Sequence, residues 1–304
     1  MKKSNVYLKG VKDSYINVIS FLPNENIQAI LHISHGMGEH AARYEEFAAF
    51  LTEHGIAVYA HDHRGHGKSL KPNQDVGILK KEDTFVNIVG DVDVVIRHIK
   101  QTHKDVPVYM LGHSMGSLIL RRYLQVFHAD IEKAIIMGTL PRYGSVYTKL
   151  MRLVAFLMGL FKSNSRRHEQ LSKMLNDGLL KGLPHQTKFD WITKDEAIVK
   201  KYIDDPLCGY AYNKRFYKDF FKTIDHTNKS NEIRKTNPVP LLMISGKEDP
   251  VGNHFIAIER LHKDYEKLLP NVPITLIGVE DARHEVLNEL NRKSTFQLIL
   301  DWLL

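Results

Sequence analysis

The sequence predicts an α/β fold on a mostly parallel sheet, and three observations carry that expectation. Short apolar runs of strand length alternate with longer segments at helical spacing. One run, Val108-Tyr109-Met110-Leu111, breaks at Gly112, presents Ser114, passes through Gly116 and continues as Leu118, Ile119 and Leu120 at the start of a helix. The alternation stops after Met137 and resumes at Leu241. The first observation sets the class, the second places a strand, tight turn and helix at the centre, and the third points to an insertion.

In chain order, residues 5–22 read as a hairpin that turns near Gly10 and Asp13 and ends at Pro23. Ala29 to Ile33 is the next strand and runs into His35-Gly36-Met37-Gly38-Glu39-His40, whose glycines allow close backbone approach. Tyr44, Phe47, Ala48 and Leu51 follow at helical spacing, and Ile56 to Ala60 is a strand ending in His61-Asp62-His63-Arg64-Gly65-His66-Gly67-Lys68-Ser69. Phe85, Ile88, Val89, Val92, Val95, Ile96 and Ile99 mark the buried face of a long helix. After the central strand, a helix over 115–127 and a strand from Ala134 to Met137 complete a third strand-helix-strand unit. Residues 141–229 show helical spacing in pieces and no strand series. Leu241 to Ile244, a helix through Ile256 and Leu261, Ile274 to Ile277 and a last helix ending in Trp302 close the chain. The organisation expected is a core of 1–140 and 230–304 with a helical cap, 141–229, lying over the carboxyl ends of the strands, where open α/β sheets bind ligands.

Composition narrows the function classes. Residues 141–229 hold 17 Lys and Arg against 9 Asp and Glu, so the formal charge of +7 comes from this segment alone. No nucleic-acid motif accompanies it, which excludes that partner. The basic excess favours anionic membrane surfaces or phosphate-bearing substrates instead, with Leu153 to Phe161, flanked by Lys149, Arg152 and Lys162, resting on lipid. That run is too short to span a bilayer. The only cysteine, Cys208, permits no internal disulfide, and Lys2 and Lys3 precede no apolar leader. A cytoplasmic protein with peripheral membrane contact is the expectation.

The Gly112-His113-Ser114-Met115-Gly116 spacing has a mechanical reason: the serine needs a strained turn, and side chains at the two glycines would collide with neighbouring backbone. A serine hydroxyl is weakly nucleophilic at neutral pH and needs a base held by an acid. The strand ending at Ile244 leads into Glu248 and Asp249, and the strand ending at Ile277 leads into Asp281 and His284. The acid is therefore Asp249, Glu248 or Asp281. His61, His63, His66 and Asp62 resemble a metal cluster, but the binuclear pattern wants Asp directly before the third histidine and Gly65 stands there, so no metal is expected.

These motifs, together with Asp204-Asp205-Pro206-Leu207-Cys208, Gly246-Lys247-Glu248-Asp249-Pro250-Val251-Gly252 and Arg283-His284-Glu285, resemble the α/β-hydrolases of the monoacylglycerol lipase and lysophospholipase type, also described as serine aminopeptidase-like. The resemblance runs over nearly the whole chain. It implies an α/β-hydrolase fold with about eight strands, helices on both faces and a cap. It also implies Ser114 as nucleophile, Asp249 as acid, His284 as base and the amides of Met37 and Met115 as the oxyanion hole.

The function expected is a cofactor-free serine hydrolase that cleaves carboxylic esters of single-chain lipids, monoacylglycerol or lysophospholipid, through an acyl-enzyme. An aminopeptidase or acyltransferase with the same triad is the alternative, and a non-catalytic binding protein of this fold is a remote one. Phe156, Phe161, Tyr210, Tyr212, Phe216 and Tyr217 are read either as the core of a small helical subdomain or as the wall of an acyl tunnel. Glu39 and Arg43 either brace the oxyanion loop or face solvent, and Cys208 is read as a packed cap residue.

Overall fold

The computed structural model describes residues 1–70, 74–127, 131–142 and 166–304. Its first strands, β1 (Lys2–Lys9) and β2 (Tyr15–Leu22), form the expected antiparallel hairpin, with Lys2 opposite Leu22 and Lys9 opposite Tyr15. Then come β3 (Ala29–Ser34), α1 (Glu45–Glu53), β4 (Ile56–His61), α2 (Phe85–Thr102), β5 (Val108–His113), α3 (Met115–Val126) and β6 (Lys133–Met137). After the inserted segment, a short helix α7 (Ser230–Ile233) returns the chain to β7 (Leu241–Gly246), α8 (Ile256–Leu268), β8 (Ile274–Val279) and α9 (Arg292–Leu303).

The strands form one sheet in the order β1-β2-β4-β3-β5-β6-β7-β8. Pairings from β4 to β8 are all parallel, so the carboxyl ends of these strands open on one edge. Side chains alternate between the two faces as a period of two requires. Met110 and Met243 join a core beneath α2, α3 and α8, while Leu111 and Leu242 join a second core beneath α1 and α9. Both faces of the central strands are fully buried, as parallel sheets demand.

The described part of the insertion is helical: α4 (Glu169–Leu180), α5 (Glu196–Asp204) and α6 (Lys214–Thr227). Side chains satisfy the first amides of two of them, Asp195 for α5 and Asn213 for α6. The expectation of a separate small core is met only in part. Phe189, Ile192, Val199, Tyr202 and Cys208 form such a cluster. The aromatic stripe of α6 does not: Phe216 and Phe220 each lie 5.7 Å from the Phe85 ring of α2 and belong to the main core. A stripe of phenylalanines buries more apolar area against a long neighbouring helix than against a few short ones. The apolar run 153–161, with Phe156 and Phe161, lies outside the described residues. Among the described helices none is long and apolar enough to cross a membrane.

Candidate active site

At the end of β5 the chain turns sharply, with Ser114 at φ 52°, ψ −117° and α3 beginning at the next residue. A side chain cannot replace either flanking glycine. A Cβ on Gly112 would sit 2.4 Å from the Gly116 carbonyl oxygen, and one on Gly116 would sit 1.9 Å from that of Ser34. The strain at Ser114 persists because these contacts leave the turn no other path.

Ser114 and His284 line the same cavity of about 680 Å³ between the carboxyl edge of the sheet and the inserted helices. His284, in the loop after β8, is held through Nδ1, which donates to Asp249 Oδ2 at 3.0 Å. Its other nitrogen, Nε2, is buried and has no hydrogen-bond partner among the described residues. Asp249 is fully buried and also accepts from the Ser245 hydroxyl and the Val251 amide. Burial would raise its carboxyl, but His284 and these donors hold it below the ordinary range. The rival carboxylates lie elsewhere: Glu248 pairs with Lys194 at 2.6 Å, and Asp281 is largely exposed, 3.8 Å from the same lysine.

The loop after β3 faces this pair. Gly36 N–H donates to Glu39 Oε1 at 2.6 Å and Gly38 N–H to the Tyr212 hydroxyl at 2.7 Å. Between them the Met37 amide has no acceptor among the described residues. Neither does the Met115 amide, which opens α3 and so lacks an intrahelical partner.

A family model described as "Serine aminopeptidase, S33" matches residues 25–291. The chain belongs to this family. Among its relatives, the monoglyceride lipase of Mus musculus is 35% identical over 246 residues, covering 80% of this chain and 72% of that protein. The monoglyceride lipase homolog of Monkeypox virus is 28% identical over 244 residues, 80% of this chain and 79% of that one. Of solved structures, a thermostable carboxyl esterase from Bacillus coagulans superposes with a TM-score of 0.90 at 22% identity, covering 100% of this chain and 98% of the other. That likeness makes the fold an α/β-hydrolase fold. With the family and its lipase relatives, this S33 hydrolase is a carboxylic-ester hydrolase.

Two features of the S33 site were not foreseen in their extent. The first is a buried ionic cluster that ties its loops together. Glu39 accepts from Gly36, from Tyr44 and from His113 Nδ1 through one oxygen and from Arg43 through the other. Arg43 makes a bidentate pair with Glu285, directly after His284. Glu39 and Arg43 thus brace the loop rather than face solvent. Burial would raise the Glu39 carboxyl, but Arg43 and His113 hold it well below its ordinary value of 4.5. Burial pulls His113 down, and its bond to Glu39 outweighs this and raises it. Glu39→Gln keeps the shape but leaves His113 without its carboxylate and Arg43 with Glu285 as its remaining counter-charge. Urea denaturation at neutral pH is expected to show a loss of about 3–5 kcal/mol; an unchanged midpoint would refute the bracing role.

The second feature is how the inserted segment grips the loop after β3. The Gly38 carbonyl accepts from the Tyr202 hydroxyl and the Gly209 amide, and Tyr212 donates to His66 Nε2 while accepting from Gly38. Trp191 lies against the His284 ring, centroids 5.1 Å apart. Tyr210, Tyr212 and Tyr217 line the cavity, whereas Phe216 does not. Cys208 is buried, as expected of a packed residue, and burial pushes its thiol up. With His40 and Asp205 it could ring a cation. However, His40 Nε2 already bonds Asp205 Oδ2 at 2.8 Å, and that pair serves as a latch between insertion and core. The His61, His63 and His66 rings bond to His32, Ser34 and Tyr212 and to one another rather than converging on a metal position.

Proposed function

We propose that this hydrolase cleaves monoacylglycerols, with residues 141–229 as a cap over the site. The observation that carries the reading is His284: one nitrogen is bonded to Asp249, and the other is buried and unpartnered in a largely apolar cavity shared with Ser114. His284 Nε2 takes the Ser114 hydroxyl proton as Oγ bonds to the ester carbonyl carbon. Asp249 holds the tautomer and stabilises the imidazolium. The Met37 and Met115 amides receive the oxyanion. Collapse breaks the ester C–O bond, and His284 returns its proton to the departing glycerol oxygen. Water, deprotonated by the same nitrogen, then attacks the acyl-enzyme, frees the fatty acid and restores Ser114.

The acyl chain is assigned to the wall made by Leu175, Leu179, Phe220, Phe221, Ile224 and Val251. Charge supports a neutral headgroup. An aminopeptidase needs a carboxylate for the substrate's amino group, yet among the described residues both carboxylates lining the cavity, Glu39 and Glu285, are engaged by Arg43. A lysophospholipid headgroup would favour a free cation, and the lining cation among the described residues, Arg142, is engaged by Asp264 at 3.3 Å. Lysophospholipid is therefore the second substrate of this reading. The basic excess of the cap is assigned to anionic lipid surfaces, where such substrates reside.

The test is fatty-acid release from monoacylglycerol and lysophospholipid of one chain length, offered in neutral and in anionic vesicles, beside an aminoacyl anilide. Faster release from monoacylglycerol, enhanced in anionic vesicles at low salt, is expected. Cleavage of the anilide alone would overturn the reading in favour of a peptidase.

A further inference from the structure

Arg121 lies on α3, is fully buried, and faces no carboxylate among the described residues. An apolar side chain of that volume would avoid the desolvation of an unpaired cation, so its donors need explaining. Nε donates to the Tyr265 hydroxyl of α8 at 2.8 Å. Nη1 donates to the Leu140 carbonyl at 3.1 Å and reaches the Thr139 hydroxyl at 3.5 Å. Nη2 donates to Asn228 Oδ1. Thr139 and Leu140 stand where the chain leaves the sheet for the insertion, and Asn228 stands where α6 brings it back. One side chain thus holds both ends of the cap, and the neighbouring Gln125 adds a bond to the Thr227 carbonyl.

The same contacts lead to Ser114. The Ser117 hydroxyl, with one proton to give, donates to the Ser114 carbonyl and to the Thr139 hydroxyl, the latter at 2.7 Å, and so shares that proton between them. Thr139 in turn accepts from Arg121. Thr139 Oγ1 is thus the acceptor at which the Arg121 guanidinium and the hydroxyl that bonds the Ser114 carbonyl meet, and a cation at that oxygen sets the position of Thr139 and through it of Ser117.

We propose that Arg121 is a positioning residue: it clasps the two ends of the cap and, through Thr139 and Ser117, steadies the Ser114 turn. Seating of the cap and geometry of the nucleophile are thereby linked. The link to catalysis rests on the reading of Ser114 as nucleophile; the clasp does not.

The experiment compares wild type, Arg121→Met and Thr139→Val in two readouts, the rate at which a fluorophosphonate labels Ser114 and amide hydrogen exchange at residues 139–142 and 226–229. Arg121→Met is expected to exchange faster at both cap ends and to label about ten- to a hundredfold more slowly. Thr139→Val, which breaks the chain to Ser117 and spares the bonds to Leu140 and Asn228, is expected to label more slowly with exchange at 226–229 unchanged. A purely structural Arg121 would leave labelling of folded Thr139→Val at the wild-type rate, and that result overturns the link. Unchanged exchange at both cap ends in Arg121→Met overturns the clasp. A wild type that is not labelled at Ser114 would instead overturn the nucleophile assignment, and the exchange comparison would still decide the clasp.

Discussion

Ser114→Ala is expected to lower ester turnover by about a million-fold while leaving the fold intact, because in the proposed mechanism the hydroxyl oxygen bonds to the acyl carbon. Asp249→Asn is expected to cost about ten-thousand-fold, with little change in KM, since an amide presents the wrong donor to His284 and spoils its tautomer. Both are read by fatty-acid release, with circular dichroism to verify folding. The geometry makes the second variant the more informative. Asp249 bonds His284 Nδ1 directly, whereas Glu248 is engaged by Lys194 and Asp281 is largely exposed. Full activity in Asp249→Asn would mean that neither geometry nor family position identifies the acid.

Mild acid is expected to unfold the protein. His32, His35, His61, His63 and His66 are all buried and packed together beneath the loops after β3 and β4. Burial lowers every one of them from the ordinary 6.5, His32 and His66 to about 3, and crowding by neighbouring histidines adds to it for His35's neighbours His61, His63 and His66. The unfolded chain therefore binds protons near pH 6.5 that the native state refuses. Stability from these groups is fully present above pH 6.5 and is lost as pH falls toward their native values. Each contributes about 1.4 kcal/mol per pH unit in that range. The raised His113 works the other way, gaining stability as pH falls, but it is one group against five. The net effect is a loss of stability as pH falls from about 8 to about 5.5. Urea midpoints measured from pH 8 to pH 5 should fall steeply, and His32→Phe should flatten the slope by about one proton. A flat profile would show that the cluster charges without unfolding. Activity should follow stability, because His35 donates to the Gly36 carbonyl and His66 holds Tyr212 on Gly38.

How much of this was legible in the sequence follows from the range of the interactions involved. Strand-length apolar runs, the helical spacing of Phe85 to Ile99 and the glycines around Ser114 are local properties, governed by side chains and backbone within a few residues of one another. They were enough to read the sheet, the turn at Ser114 and the post-strand loops holding Asp249 and His284. The bracing was not legible in the same way. Arg43 and Glu285 are 242 residues apart in sequence, and Glu39 and His113 are 74 apart. Their pairing depends on which strand ends lie side by side, a property of the strand order rather than of any segment. The same holds for α6, whose phenylalanines joined the main core because α2 happened to be within reach, and for Arg121, an unremarkable basic residue on a helix until the ends of the insertion close around it. Residue types and short spacings determined the fold and pointed to a serine, an acid and a base. The tertiary structure alone decided what holds the surrounding loops, because low-dielectric burial makes those long-range ionic and hydrogen-bonded contacts strong only where the folded chain excludes water.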